Sequence, residues 1–133
     1  MTGMTAVLGF ALWTLILAFM VLNWRGIEML RGKRINSWGR NDGIPVPAIV
    51  MRIQHAHLNC LENLPVFAVL VFAAAFMGKS AVVDSLACYV LAARVAQSAA
   101  HLLGTSQPLV FVRATFYIAQ VLMFFYIFWG LLA

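Results

Sequence analysis

Long apolar runs leave this chain very few ways to fold. One runs from Thr5 to about Trp24, another from Val66 to Met77, and a last one from Pro108 to about Leu132. Backbone in hydrocarbon has no water to bond, so it must satisfy its own amides and carbonyls, most simply in helices. Hydrophobic residues make up 64% of the 133 positions and charged residues 10%, against about 25% charged in a soluble domain. With a mean hydropathy of +0.93, the chain has too little polar surface to cover itself in water. The length suits one domain of about four spans of about 20 residues. The fold expected is therefore all-α, an integral membrane four-helix bundle of up-down topology over residues 1–133.

The charge pattern narrows the partners. A net charge of +5 does not point to nucleic acid here, because the charges are few and sit at helix ends, as in membrane proteins. Cys60 and Cys88 fall inside expected helices and read as small buried residues, not as a disulfide framework. No Lys or Arg precedes the first apolar run, so it lacks the charged start of a signal peptide and reads as a true span.

Breaks in the pattern place the helices at about 5–30, 45–77, 81–103 and 108–132. Asn41-Asp42-Gly43 marks a turn in the first loop, and Pro45 or Pro47 suits the first turn of helix 2. Gly78-Lys79-Ser80 ends helix 2, and Gly104 to Gln107 separates helices 3 and 4. Arg25, Arg31, Lys33, Arg34, Arg40 and Arg52 surround the first loop, whereas the second offers only Lys79. The positive-inside rule puts the first loop in the cytoplasm and both termini on the opposite side.

Polar residues gather on particular faces. On helix 2, Arg52, His55, Asn59, Glu62 and Asn63 fall within about 100° of one face, and His57 lies outside it. Helix 3 carries Arg94, Gln97, Ser98 and His101, and helix 4 carries Arg113, Tyr117 and Gln120. The start of helix 2, the end of helix 3 and the start of helix 4 all lie on the first-loop side. The three stripes therefore converge in the cytoplasmic half. From Leu64 to Met77 is only about 20 Å of helix, so a full span of about 30 Å includes Asn59 and Glu62. Ionisable groups at that depth are costly and usually mark a site.

Arg52, Arg94 and Arg113 outnumber Glu62, with His55, His101, Asn59, Gln97 and Tyr117 nearby. Arginines clamp carboxylates, and Glu62 suits an amine. The competing reading pairs Glu62 with Arg52 or Arg94 as interhelical glue. Arg113 either snorkels to the interface or lowers the pKa of a neighbouring thiol and makes it a nucleophile. His55 and His57 point to different faces and cannot chelate together, so no metal is expected. Pro65 is expected to kink helix 2 and free the Leu61 carbonyl. Phe124, Phe125, Tyr126, Phe128 and Trp129 read as lipid-facing or as an interfacial belt.

The run Arg52-x-x-His55-Ala56-His57-Leu58-Asn59-x-x-Glu62-Asn63, followed by Pro65 and Phe67, resembles the helix 2 signature of the MAPEG superfamily. These are membrane-associated proteins in eicosanoid and glutathione metabolism. Arg94 and Arg113-x-x-x-Tyr117 follow in the matching order. The resemblance implies a homotrimer that binds glutathione between subunits near the cytoplasmic side. It implies that Asn59 and Glu62 hold the tripeptide's backbone and amino end and that Arg113 favours the thiolate. Arg52 and Arg94 correspond to structural or carboxylate-facing positions, and Arg25 or Arg31 supplies a helix 1 arginine. His55 stands where members usually carry arginine, Gln97 and His101 where His or Tyr is common, and Ala114 where some have Ser.

The leading expectation is a glutathione-dependent membrane transferase or peroxidase. Its acceptors are hydrophobic electrophiles or lipid hydroperoxides, and glutathione ligands include Arg52, His55, Asn59, Glu62, Arg94, Gln97, His101 and Tyr117. The alternatives are a non-catalytic oligomeric scaffold and, less well matched to stripes that stop halfway, an ion conduit.

Overall fold

Five helices account for most of the chain in the computed structural model, which describes residues 1–39, 43 and 45–133. They are α1 (Gly3–Leu30), α2 (Ala48–Phe76), α3 (Ser80–Asp84), α4 (Ala87–Leu103) and α5 (Gln107–Leu132), with no strand among the described residues. The expected Asn41-Asp42 turn and Arg40 lie outside the described residues. Three helices, α1, α2 and α5, are long and apolar enough to cross a membrane. The fourth expected span is divided into α3 and α4.

Local chemistry explains where the boundaries fall. α1 begins two residues before the expected Thr5 because Thr2 caps it, its hydroxyl accepting from the Thr5 amide at 3.2 Å. A second cap comes from far along the chain, where Asp84 Oδ1 accepts from the Gly3 amide at 2.6 Å. α2 starts at Ala48, not at Pro45, with Pro47 as its N-cap. Gly78, at φ +68°, provides the left-handed turn that ends α2.

The break between α3 and α4 falls where Ser85 turns its hydroxyl onto the Val82 carbonyl at 2.8 Å, a local bond that competes with helix continuation. α2, in contrast, continues through Pro65 without interruption. Replacing Asp84 with Ala removes the tie between α3 and the start of α1. It is expected to cost about 1 kcal/mol, read as a lowered melting temperature in detergent.

The helices pack as two antiparallel hairpins, α1 on α2 and α4 on α5, with α4 and α2 joining the pairs. A ladder of rings crosses the interior. Phe67 of α2 lies 6.1 Å from Phe10 of α1 and stacks on Phe124 of α5 at 5.7 Å and 15°. Phe124 thus belongs to the core and departs from the aromatic run's expected lipid-facing role, while Phe125, Tyr126, Phe128 and Trp129 remain exposed. One face of α5 must enter the core, and the turn of the helix selects Phe124, Ile127 and Leu131 for it.

Gly9 lets α1 approach α4, since a Cβ there would meet Leu91 Cδ2 at 2.8 Å. The outer face of α1 carries Leu8 and Leu12 at 59–65% exposure, suited to lipid. Of the two cysteines, both free, Cys60 is buried but Cys88 is exposed, contrary to expectation. Cys88 falls one position after buried Ala87, where the helix face has already turned outward.

Candidate functional site

Antiparallel packing brings the start of α2, the end of α4 and the start of α5 to one end of the molecule, beside the loop after α1. Gly104 and the extended Ser106 turn the chain sharply between α4 and α5, and Pro108 sits in the first turn of α5. Arg52 Nε donates to the Leu102 carbonyl at 3.1 Å and so fastens α2 to the end of α4. The rings of His55 and His101 lie 6.0 Å apart. His101 is 6% exposed, and the basic side chains that act on it are those of Arg113, His55 and Arg52. Four basic side chains from three helices thus meet at the mouth of the molecule.

No carboxylate neutralises this group among the described residues, where the only ion pairs join Glu28 to Arg31 at 2.8 Å and to Lys33 at 2.9 Å. Those pairs fold the loop back against the end of α1. Arg52 and Arg113 therefore give the mouth an excess of positive charge, which favours an anionic ligand.

Deeper in, a second polar group is sealed in the core. Arg94 is 0% exposed; its Nη1 donates to Gln97 Oε1 and its Nη2 to Gln120 Oε1. Its guanidinium lies 5.3 Å from the centre of the Phe10 ring, and the Cys60 thiol adjoins it. Cys60 Sγ is 3.8 Å from the Ser98 hydroxyl. Arg94 thereby touches α1, α2 and α5 from its place on α4.

The residues expected to bind a ligand fall into three groups. Arg52, His55, His101 and Arg113 come together at the mouth. Arg94 and Gln97 are buried among the helices. Asn59, Glu62 and Tyr117 lie on outward parts of α2 and α5, with Asn59 half-buried and the other two exposed. Asn63 turns inward and donates to the Asn59 carbonyl at 2.8 Å. Glu62 forms no ion pair with Arg52 or Arg94, which corrects the glue reading for that residue. Its side chain is exposed on α2, whereas Arg94 is fully buried.

Sequence reasoning left two features unassigned. Gln120 lies in the Arg113–Tyr117 stripe, but only packing reveals it as fully buried. A groove of about 1270 Å³ runs between α1 and α2, lined in part by Phe19, Arg25, Trp38, Gln54 and His57. Arg25 and His57 share this groove, and Trp38 is held there edge-on to Trp24 at 5.5 Å. Among the described residues, no group of three His, Cys, Asp or Glu side chains is placed to hold a metal.

Comparison with known proteins yields one result that covers the chain. No curated protein matches it, and no solved structure does. A profile of the MAPEG family matches residues 3–133, a range that includes all five helices and every residue of the mouth. On this match the chain belongs to the MAPEG family, a membrane family that includes glutathione transferases and related proteins.

Proposed function

We propose that the chain is a glutathione-dependent transferase or peroxidase that acts on hydrophobic electrophiles or lipid hydroperoxides within the bilayer. The observation that carries this reading is the cluster of Arg52, His55, His101 and Arg113, with no ion-paired carboxylate among the described residues, and an exposed Glu62 farther along α2. Glutathione has two carboxylates, one ammonium and a thiol. Arg52 and the histidines suit the carboxylates, Glu62 the ammonium, and Asn59 and Tyr117 the peptide backbone. Arg113, one turn before Tyr117 on the same face, favours the thiolate over the thiol, and the thiolate is the attacking species. Arg94 and Gln97 support the site from inside.

On this reading α3 and α4 together complete a fourth crossing, and the four-crossing bundle assembles as a homotrimer. An exposed carboxylate within a membrane-length helix needs a partner there; a ligand held against a neighbouring copy supplies it. The basic mouth faces the cytoplasm and both termini face the opposite side.

Calorimetry with glutathione on the detergent-purified protein tests this. Saturable binding is expected in the wild type, weakened about 10–100-fold in Glu62→Ala by loss of a charge-assisted contact, with the melting temperature unchanged. Absence of binding at millimolar glutathione by folded protein overturns the reading. The scaffold alternative draws support from the Arg94 core, which does join helices, but it predicts that Glu62→Ala unfolds the protein. That role suits a buried, bonded residue, and Glu62 is neither.

A further inference from the structure

Two imidazoles meet at the mouth, and they differ in access. The rings of His55 on α2 and His101 on α4 lie 6.0 Å apart, with His101 buried and His55 exposed. Arg52 of α2 and Arg113 of α5 are the cations beside the pair. Arg52 is fastened through Nε to the Leu102 carbonyl, so packing fixes its place. Toward α1, His55 borders the groove that also holds Arg25 and His57. Tyr117 lies one turn beyond Arg113 on α5. The one acid of α2, Glu62, is two turns from His55, about 10 Å along the helix. Glu28, at the end of α1, is bound by Arg31 and Lys33. Among the described residues no ion pair includes either imidazole. A proton added to His55 therefore joins two guanidinium charges and gains no bonded acid, until a ligand brings one.

We infer that the mouth binds its carboxylate ligand together with a proton held on His55, so that affinity rises as pH falls through the imidazole range. This rests on the proposed glutathione site and assigns it a regulation. Imidazole is the side chain whose charge changes near neutral pH, at about 6.5 in water. A carboxylate placed beside it favours the charged ring, and by linkage the charged ring favours the carboxylate by the same factor. His55 is the member of the pair that a ligand can reach. The other groups do not give this sign. Arg52, Arg113 and Arg25 stay charged throughout. Loss of charge on Glu62 at falling pH would release the ligand's ammonium and weaken binding.

S-methylglutathione is the probe, because it keeps both carboxylates and the ammonium but has no thiol proton to release. Its binding to the full chain in detergent is measured by calorimetry from about pH 8 to about pH 6, in phosphate and in Tris. The different ionisation enthalpies of the two buffers report the protons exchanged. Wild-type affinity is expected to rise about tenfold across this range, with net proton uptake. His55→Gln should flatten the profile and abolish the uptake. His55→Arg, which carries a permanent charge, should flatten it at the tighter end. His57→Gln should keep the response, since His57 lies on another face of α2. Melting curves establish that each variant is folded. Binding that is equal at every pH and free of proton exchange overturns the inference and leaves the glutathione site standing. So does a wild-type pH response in His55→Gln, or its loss in folded His57→Gln. Absence of binding at every pH overturns the glutathione reading and the inference with it.

Discussion

Replacing Arg113 with Ala is expected to lower turnover of glutathione with a hydrophobic electrophile by about 10²–10³-fold, the usual cost of removing one preorganised group that stabilises developing or resident negative charge. The loss should fall on kcat more than on glutathione affinity, because Arg52, His55 and Glu62 remain to hold the ligand. Folding should change little. Arg113 is only half-buried and its neighbours at the mouth, His101, His55 and Arg52, are all basic, so its removal relieves repulsion instead of breaking an ion pair. Steady-state rates, the ultraviolet absorbance of bound thiolate and a melting curve measured together separate these effects. Unchanged turnover would remove Arg113 from the mechanism, and equal losses of rate and folding would make it structural.

The second large effect is expected at Arg94, and in the opposite currency. Arg94→Ala should destabilise the protein by about 3–5 kcal/mol. It leaves a cavity where the largest fully buried side chain stood and strands the amide oxygens of Gln97 and Gln120 without donors. A melting curve or denaturant titration in detergent reads this directly. Arg94 and Arg113, both arginines in converging polar stripes, thus serve opposite ends of the argument. One is buried where helices meet, and the other is proposed to act on the ligand. A modest stability loss for Arg94→Ala would show that the core network is not the junction its contacts describe.

Much of the helix pattern is legible in the residues themselves, because local chemistry decides it. Apolar length and composition define α1, α2 and α5, and Gly78 and Gly104–Ser106 mark the breaks. The family signature on helix 2 needs no coordinates either, since it depends on spacing along a single helix. Misplaced features have physical causes. The break at Ser85–Leu86 follows from a hydroxyl that bonds a nearby carbonyl and from Asp84 reaching across to α1, neither of which has a periodic signal. Phe124 and Cys88 depart from expectation because a helix apolar on nearly every side does not declare which face meets protein and which meets lipid.

The sequence alone determined that the chain is a membrane protein built of helices, and that basic and amide residues cluster on the first-loop side. Hydropathy and i, i+3, i+4 spacing are properties of one helix at a time. Tertiary structure alone decided how that cluster divides. It enclosed Arg94, Gln97 and Gln120 between α4 and α5, gathered Arg52, His55, His101 and Arg113 at the mouth, and left Glu62 outward and unpaired. That division depends on the rotation of each helix about its axis, which is set by side chains interlocking across helices, Phe10, Phe67 and Phe124 among them, and by no residue's own preference.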